Sequence, residues 1–255
     1  MTGQKFEELV AVMRRLRVEC PWDREQTNDS IKAATLEEAH EVVEAIDEKD
    51  FDELKNELGD LLLHIVFHSA IAEDEKKFMI DDVIDGIKEK LIRRHPHVFG
   101  DVVVKDNSEI LRNWEAIKLD EGGRISVLEG VPKSLSSVHR AFRLQEKASK
   151  VGFDWEKKED VWKKVIEEIK EMHESEEKGG FDEFEEEMGD VFFALVNYSR
   201  FVGINPENAL RRTNEKFIKR FNYIEEKVRE SGRKISESNL EEMDKYWEES
   251  KKLLR

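Results

Sequence analysis

Apolar side chains recur at helical spacing through most of the chain. Phe6, Leu9, Val10, Met13 and Leu16 fall at steps of three and four and predict a basic amphipathic helix over 5–17. Cys20-Pro21-Trp22-Asp23 breaks it. The same period predicts helices over 30–49, 51–73 and 81–94, the last stopped by His95-Pro96. A shorter helix over 108–119 carries Trp114. Residues 121–137 lose the period and hold Gly122, Gly123, Gly130 and Pro132, which reads as a linker. Strand formers are sparse, so the expected fold class is all-α.

Beyond the linker the first half returns. Leu36-Glu37-Glu38-Ala39-His40-Glu41 is matched by Ile166-Glu167-Glu168-Ile169-Lys170-Glu171, at an offset of 130 positions. Asn56-Glu57-Leu58-Gly59-Asp60-Leu61 is matched by Glu186-Glu187-Met188-Gly189-Asp190-Val191 at the same offset, as Phe51-Asp52-Glu53-Leu54 is by Phe181-Asp182-Glu183-Phe184. Glu89 to Arg94 matches Glu215 to Arg220 at 126, and Trp114-Glu115 matches Trp247-Glu248 at 133. Small loop insertions absorb the drift. A repeat this long means two tandem helical-bundle domains, not a solenoid. The expected division is 1–120, a linker over 121–137, and 138–255.

Charge narrows the partners. The chain carries a formal charge of −16, with 40% charged and 38% hydrophobic residues. An acidic surface argues against binding a nucleic-acid backbone. It leaves open a phosphorylated small molecule, because a metal ion inverts the local charge. Cys20 is the only cysteine, so no intramolecular disulfide is expected. The chain shows neither an apolar leader nor an apolar run of about 18 residues, which reads as a soluble cytoplasmic protein with no membrane partner. Abundant Lys and Glu beside only three glutamines (Gln4, Gln26, Gln145) hint at a thermophile.

The candidate chemistry lies in the repeated acids. On a helix, positions three and four apart share a face. Glu38 and Glu41 therefore sit together, as do Glu37 and Glu41, with Glu57 and Asp60 on the next helix. The connection over 48–52 is short, so the two helices run antiparallel and their acidic patches face each other. Four or five carboxylates at close quarters repel unless a cation lies between them. Mg²⁺, with oxygen ligands and open positions for phosphate, is the natural occupant, and Mn²⁺ is a possible substitute. A single Glu-Glu-x-x-Glu in so glutamate-rich a chain is what a solvated acidic face looks like. Two copies, each followed by Glu-x-x-Asp at identical separation, are a different matter.

Lys90, Arg93 and Arg94 share one helix face, and Lys216, Lys219 and Arg220 repeat them. Such triads suit phosphates, and equally suit surface ion pairs. Trp114 and Trp247 read either as faces for stacking on a base or as core or interface residues, and Lys118, one turn after Trp114, either as a phosphate contact or as an exposed lysine. His40 completes a Glu-x-x-His of the kind found in di-iron bundles, but the second half has Lys170 there. His64 and His68 are replaced by Ala194 and Tyr198, so these histidines read as packed or hydrogen-bonded side chains.

Through these motifs the chain resembles the MazG family of nucleoside triphosphate pyrophosphohydrolases. Cys20-Pro21-Trp22-Asp23, the run from Arg93 to Phe99 and the run from Val151 to Trp155 add to the likeness. The resemblance implies the all-α NTP pyrophosphatase fold, homodimerisation, and cleavage of ribo- and deoxyribonucleoside triphosphates between the α- and β-phosphates. It assigns metal binding to Glu37, Glu38, Glu41, Glu57 and Asp60, and to Glu167, Glu168, Glu171, Glu187 and Asp190. Glu38, Glu41, Glu168 and Glu171 are the catalytic candidates. Lys216, Arg220 and Trp247 carry over as nucleotide contacts, with Lys90, Arg94 and Trp114 as internal counterparts. Arg93, Lys118, Glu186 and Lys219 complete the expected substrate-binding set. Where relatives carry a lysine before the second acidic motif, this chain has Glu183. The rival readings are a nucleotide-sensing or scaffolding helical protein and an iron or manganese carboxylate bundle.

Overall fold

The computed structural model describes residues 2–106, 109–110, 113–114, 117–118, 121 and 126–254. The helix expected over 108–119 and the Gly122-Gly123 part of the expected linker lie partly or wholly outside them. The chain divides into two compact units, Met1–Trp114 and Glu115–Arg255. The described residues form helices and no strand, which makes the protein all-α.

The first unit runs α1 (Thr2–Glu19), α2 (Pro21–Glu25), α3 (Asn28–Glu48), α4 (Phe51–Asp74), α5 (Ile80–Arg94) and α6 (Pro96–Phe99). The second runs α7 (Ser137–Lys150), α8 (Lys158–Lys178), α9 (Phe181–Phe201), α10 (Pro206–Glu230), a 3₁₀ turn (Ile235–Glu237) and α11 (Leu240–Leu253). Helix α3 starts two residues before its expected start. Thr27 caps it, accepting from Ser30 N at 3.1 Å, while Ser30 Oγ accepts from Thr27 N at 2.9 Å. This reciprocal pairing satisfies two helix-end donors.

A tight reversal sets the site in each unit. After α3, Lys49 adopts the left-handed conformation at φ 60°, and Asp50 accepts from Asp52 N and Glu53 N at 3.0 Å each. After α8, Gly179 takes the same conformation at φ 80°, and Gly180 stands at the N-cap of α9. The two long helices of each unit therefore lie antiparallel and packed together.

Apolar stripes hold the hairpins in place. In the first unit Val66, Phe67, Ala70 and Ile71 of α4 pack in one cluster with Ile31, with Val10 and Met13 of α1, and with Ile80 of α5. Each large side chain so buried contributes about 1.5–3 kcal/mol relative to exposure. In the second unit Val161 and Val165 of α8, Val191 and Val196 of α9, and Ile224 and Val228 of α10 are buried. Lys147 of α7 donates from Nζ to the carbonyls of Val127 and Glu129, at 3.1 and 3.0 Å. The later part of the expected linker is thus tied to the second unit.

Candidate active site

On α3, Glu38 and Glu41 lie one turn apart, and Glu57 rises from the facing helix α4. One carboxylate oxygen from each lies within 4.8 Å of the others. Helices α8 and α9 repeat the arrangement with Glu168, Glu171 and Glu187. The short reversal between the helices is what opposes these positions. Burial pushes the Glu38 carboxyl above its ordinary range, and the charges of Glu41 and Asp60 add to that. Glu57 is raised by desolvation, then by Glu41 and Glu53. Desolvation and the neighbouring Glu168 raise Glu171.

Desolvation is the larger cause of these shifts and the like charges beside each group add to it, a situation that a cation relieves. Each group offers only carboxylate oxygen and no histidine belongs to either among the described residues, so the donors fit a hard divalent ion. Glu37, Asp60, Glu167 and Asp190 are exposed and stand outside the groups of three. His40 is exposed as well.

The two groups are backed differently. Behind the first, His64 is buried, with its Nε2 3.7 Å from Glu38 Oε1. Thr35 Oγ1 lies 2.9 Å from His64 Nδ1 and 2.8 Å from His68 Nε2. Burial, with His64 as a neighbour, pushes His68 below its ordinary range. In the second group Lys164 Nζ reaches Glu168 at 2.7 Å and Glu167 at 2.6 Å, and these bonds hold the lysine above its usual range. Ala34 occupies the position of Lys164 in the first unit.

Neither Lys164 nor His64 stood among the expected site residues. The signal for Lys164 was its place four residues before Glu168. His64 has no counterpart in the second half, and it is a hydrogen-bonded side chain, as the sequence leads one to expect.

The basic and aromatic residues separate into smaller assemblies. Lys90 and Arg93 are exposed on α5, and Arg94 and Lys118 are half-buried. Trp114 meets the ring of His95 edge-on, at 5.2 Å between centroids. In the second unit the Arg220 guanidinium lies over Trp247 at 5.6 Å, with Phe217 5.3 Å from the same indole. Arg220 Nε is buried with no hydrogen-bond partner among the described residues. Lys216 and Glu186 are exposed. Lys219 instead lines a groove of about 510 Å³ with Asn222, Tyr223, Glu226 and Arg229.

Comparison with known proteins agrees with this double arrangement. The MazG nucleotide pyrophosphohydrolase domain matches twice, over residues 26–99 and 156–225. The nucleoside triphosphate pyrophosphohydrolase/pyrophosphatase MazG of Thermotoga maritima is 45% identical over 98% of this chain and 96% of its own length. The nucleoside triphosphate pyrophosphohydrolase of Escherichia coli is 41% identical over 97% of each. The uncharacterized protein YabN of Bacillus subtilis is 49% identical over 98% of this chain, which corresponds to 52% of that protein. Both acidic hairpins fall within the matched domains, and the chain belongs to the MazG nucleotide pyrophosphohydrolase family.

Proposed function

We propose that the chain hydrolyses ribo- and deoxyribonucleoside triphosphates to monophosphate and pyrophosphate, with Mg²⁺ as the physiological metal and Mn²⁺ as a substitute. The observation that carries this reading is the convergence of three carboxylates, from two antiparallel helices, in both units. The names of its relatives support the substrate class.

Glu38, Glu41 and Glu57 would hold the metal in the first unit, with Glu37 and Asp60 at the rim. Glu168, Glu171 and Glu187 would do so in the second, with Glu167 and Asp190. When bound, the ion neutralises phosphoryl oxygens and makes a nearby water more acidic. The chain's own groups supply the rest. Glu38, Glu41, Glu168 and Glu171, at the centre of each acidic group, are the candidates for taking the proton of the attacking water. One water is added across the α–β anhydride, and pyrophosphate leaves.

Lys90, Arg93 and Arg94 in the first unit, and Lys216, Lys219 and Arg220 in the second, oppose the polyphosphate charge. Trp114 and Trp247 present rings to the base, and Lys118 and Glu186 complete the contacts. The working units are residues 1–120 and 138–255, joined by 121–137. Phe192, Phe193 and Leu195 on α9 are exposed apolar side chains, which supports assembly into a homodimer. No helix among the described residues is long and apolar enough to cross a membrane, and the acidic charge disfavours nucleic acid; we place the protein in the cytoplasm.

Incubation of the full chain with each triphosphate and Mg²⁺, followed by ³¹P NMR of the products, tests the reading. Monophosphate with pyrophosphate is expected. Diphosphate with orthophosphate, or no turnover with any nucleotide, overturns it.

A further inference from the structure

Resting on the metal-site reading above, we propose that His64 is a positioning residue of the first site, holding Glu38 toward Glu41 and Glu57 from the end of a half-buried string of hydrogen-bonded side chains. The string begins at Asn28, whose Oδ1 lies 2.6 Å from His68 Nδ1. His68 Nε2 meets Thr35 Oγ1 at 2.8 Å, and Thr35 Oγ1 meets His64 Nδ1 at 2.9 Å. His64 Nε2 then faces Glu38 Oε1 at 3.7 Å. Four side chains from α3 and α4 therefore end on one oxygen of the acidic group.

The inventory of hydrogens gives the string a direction. A carboxylate accepts and does not donate. If His64 presents Nε2–H to Glu38, its Nδ1 must accept, and the single Thr35 hydroxyl hydrogen goes to that nitrogen at 2.9 Å in place of the Ile31 carbonyl, which lies 3.1 Å from the same oxygen. Thr35 oxygen then accepts from His68 Nε2–H, leaving His68 Nδ1 to accept from the Asn28 amide NH₂, which exchanges places with its oxygen by a half-turn. Histidines that orient acidic metal ligands in this way commonly change metal affinity about 10–100-fold when removed.

The second unit lacks every link of the string. Val165 replaces Thr35, Ala194 replaces His64, Tyr198 replaces His68 and Lys158 replaces Asn28. There Glu168 is held by the ammonium of Lys164. The same carboxylate position thus faces an imidazole string in one unit and a lysine ammonium in the other.

The test is Mn²⁺ binding by electron paramagnetic resonance, in a full chain whose second site is silenced by Glu168→Gln and Glu171→Gln. In that background His64→Leu should weaken Mn²⁺ binding by about tenfold or more. His64→Gln, whose amide can still donate to Glu38, should recover to within about threefold of the parent. Thr35→Val, which installs the residue of the second unit, should weaken binding by roughly threefold, through loss of the ring's orientation. Circular dichroism checks the fold of each variant, and should His64→Leu fail to fold, Thr35→Val and His64→Gln carry the test. Unchanged binding in His64→Leu, equal loss in the Leu and Gln variants, or unchanged binding in Thr35→Val overturns the proposal. Absence of Mn²⁺ binding in the silenced parent itself would instead overturn the metal-site reading on which it rests.

Discussion

The two acidic groups share a frame and differ in what stands behind it. In the first unit the half-buried Glu38 faces the imidazole of His64, and its carboxyl is pushed up by burial and by its acidic neighbours. In the second the buried Glu168 is paired with Lys164, which also holds Glu167. The geometry of three converging carboxylates does not depend on which solution is used. What differs is the charge already present before a metal arrives. The first group is backed by imidazole and hydroxyl side chains, whereas the second carries the ammonium of Lys164.

Metal removal should give the largest effect, and the same effect in both units if the frames are equivalent. Chelation should reduce triphosphate hydrolysis by about a thousandfold or more, because both the water and the phosphoryl charge lose their support. Readdition of Mg²⁺ should restore it and raise the melting temperature, since a ligand at about 100 times its Kd adds about 2.7 kcal/mol to the folded state. Glu38→Gln with Glu168→Gln should remove both responses. A metal-independent rate would break the comparison at its root.

Lys164→Met separates the two designs. It leaves Glu168 buried beside Glu171 without its ammonium, a loss discounted here because the lysine is 39% exposed. Calorimetry should show a destabilisation of about 1–2 kcal/mol that Mn²⁺ largely reverses. A deficit that metal does not reverse would mean that the lysine holds the fold alone.

The smallest contrast lies in the reversals. Lys49 occupies a left-handed position that costs a side-chain-bearing residue about 1–2 kcal/mol, whereas Gly179 meets no such penalty. Lys49→Gly should stabilise the first unit by about 0.5–1 kcal/mol, after the entropy that glycine loses on folding. Gly179→Ala should destabilise the second by about 1 kcal/mol. Thermal melts that show no difference between the two substitutions would remove this distinction.

Much of this frame was legible in the sequence because helix geometry is local. Glu38 and Glu41 share a face by spacing alone, and a short connection can only fold α4 back along α3. The duplication then supplied the second copy. Glu57 was legible as a facing acid for the same reason.

The partners of the acids were not legible, because each needs the register of one helix against another or a rotamer choice. His64 lies on α4, and only the packing of Val66 and Phe67 into the core turns it toward Glu38. Lys164 is local to Glu168, but in a chain this rich in lysine and glutamate an i,i+4 pair carries no distinction. The basic triads show the reverse limit. Spacing puts Lys216, Lys219 and Arg220 on one face, and rotamers then set Arg220 over Trp247 and Lys219 in a groove with Tyr223 and Arg229.

The central claim is that the carboxylate frame, present twice, performs the hydrolysis in both units. Steady-state turnover of Glu41→Gln, Glu171→Gln and the double variant tests it most directly. The account predicts that each single variant keeps measurable pyrophosphate release and that the double variant loses it by about a thousandfold. Complete loss on Glu171→Gln alone would contradict it, and would leave the first frame, with its histidine string, outside the reaction.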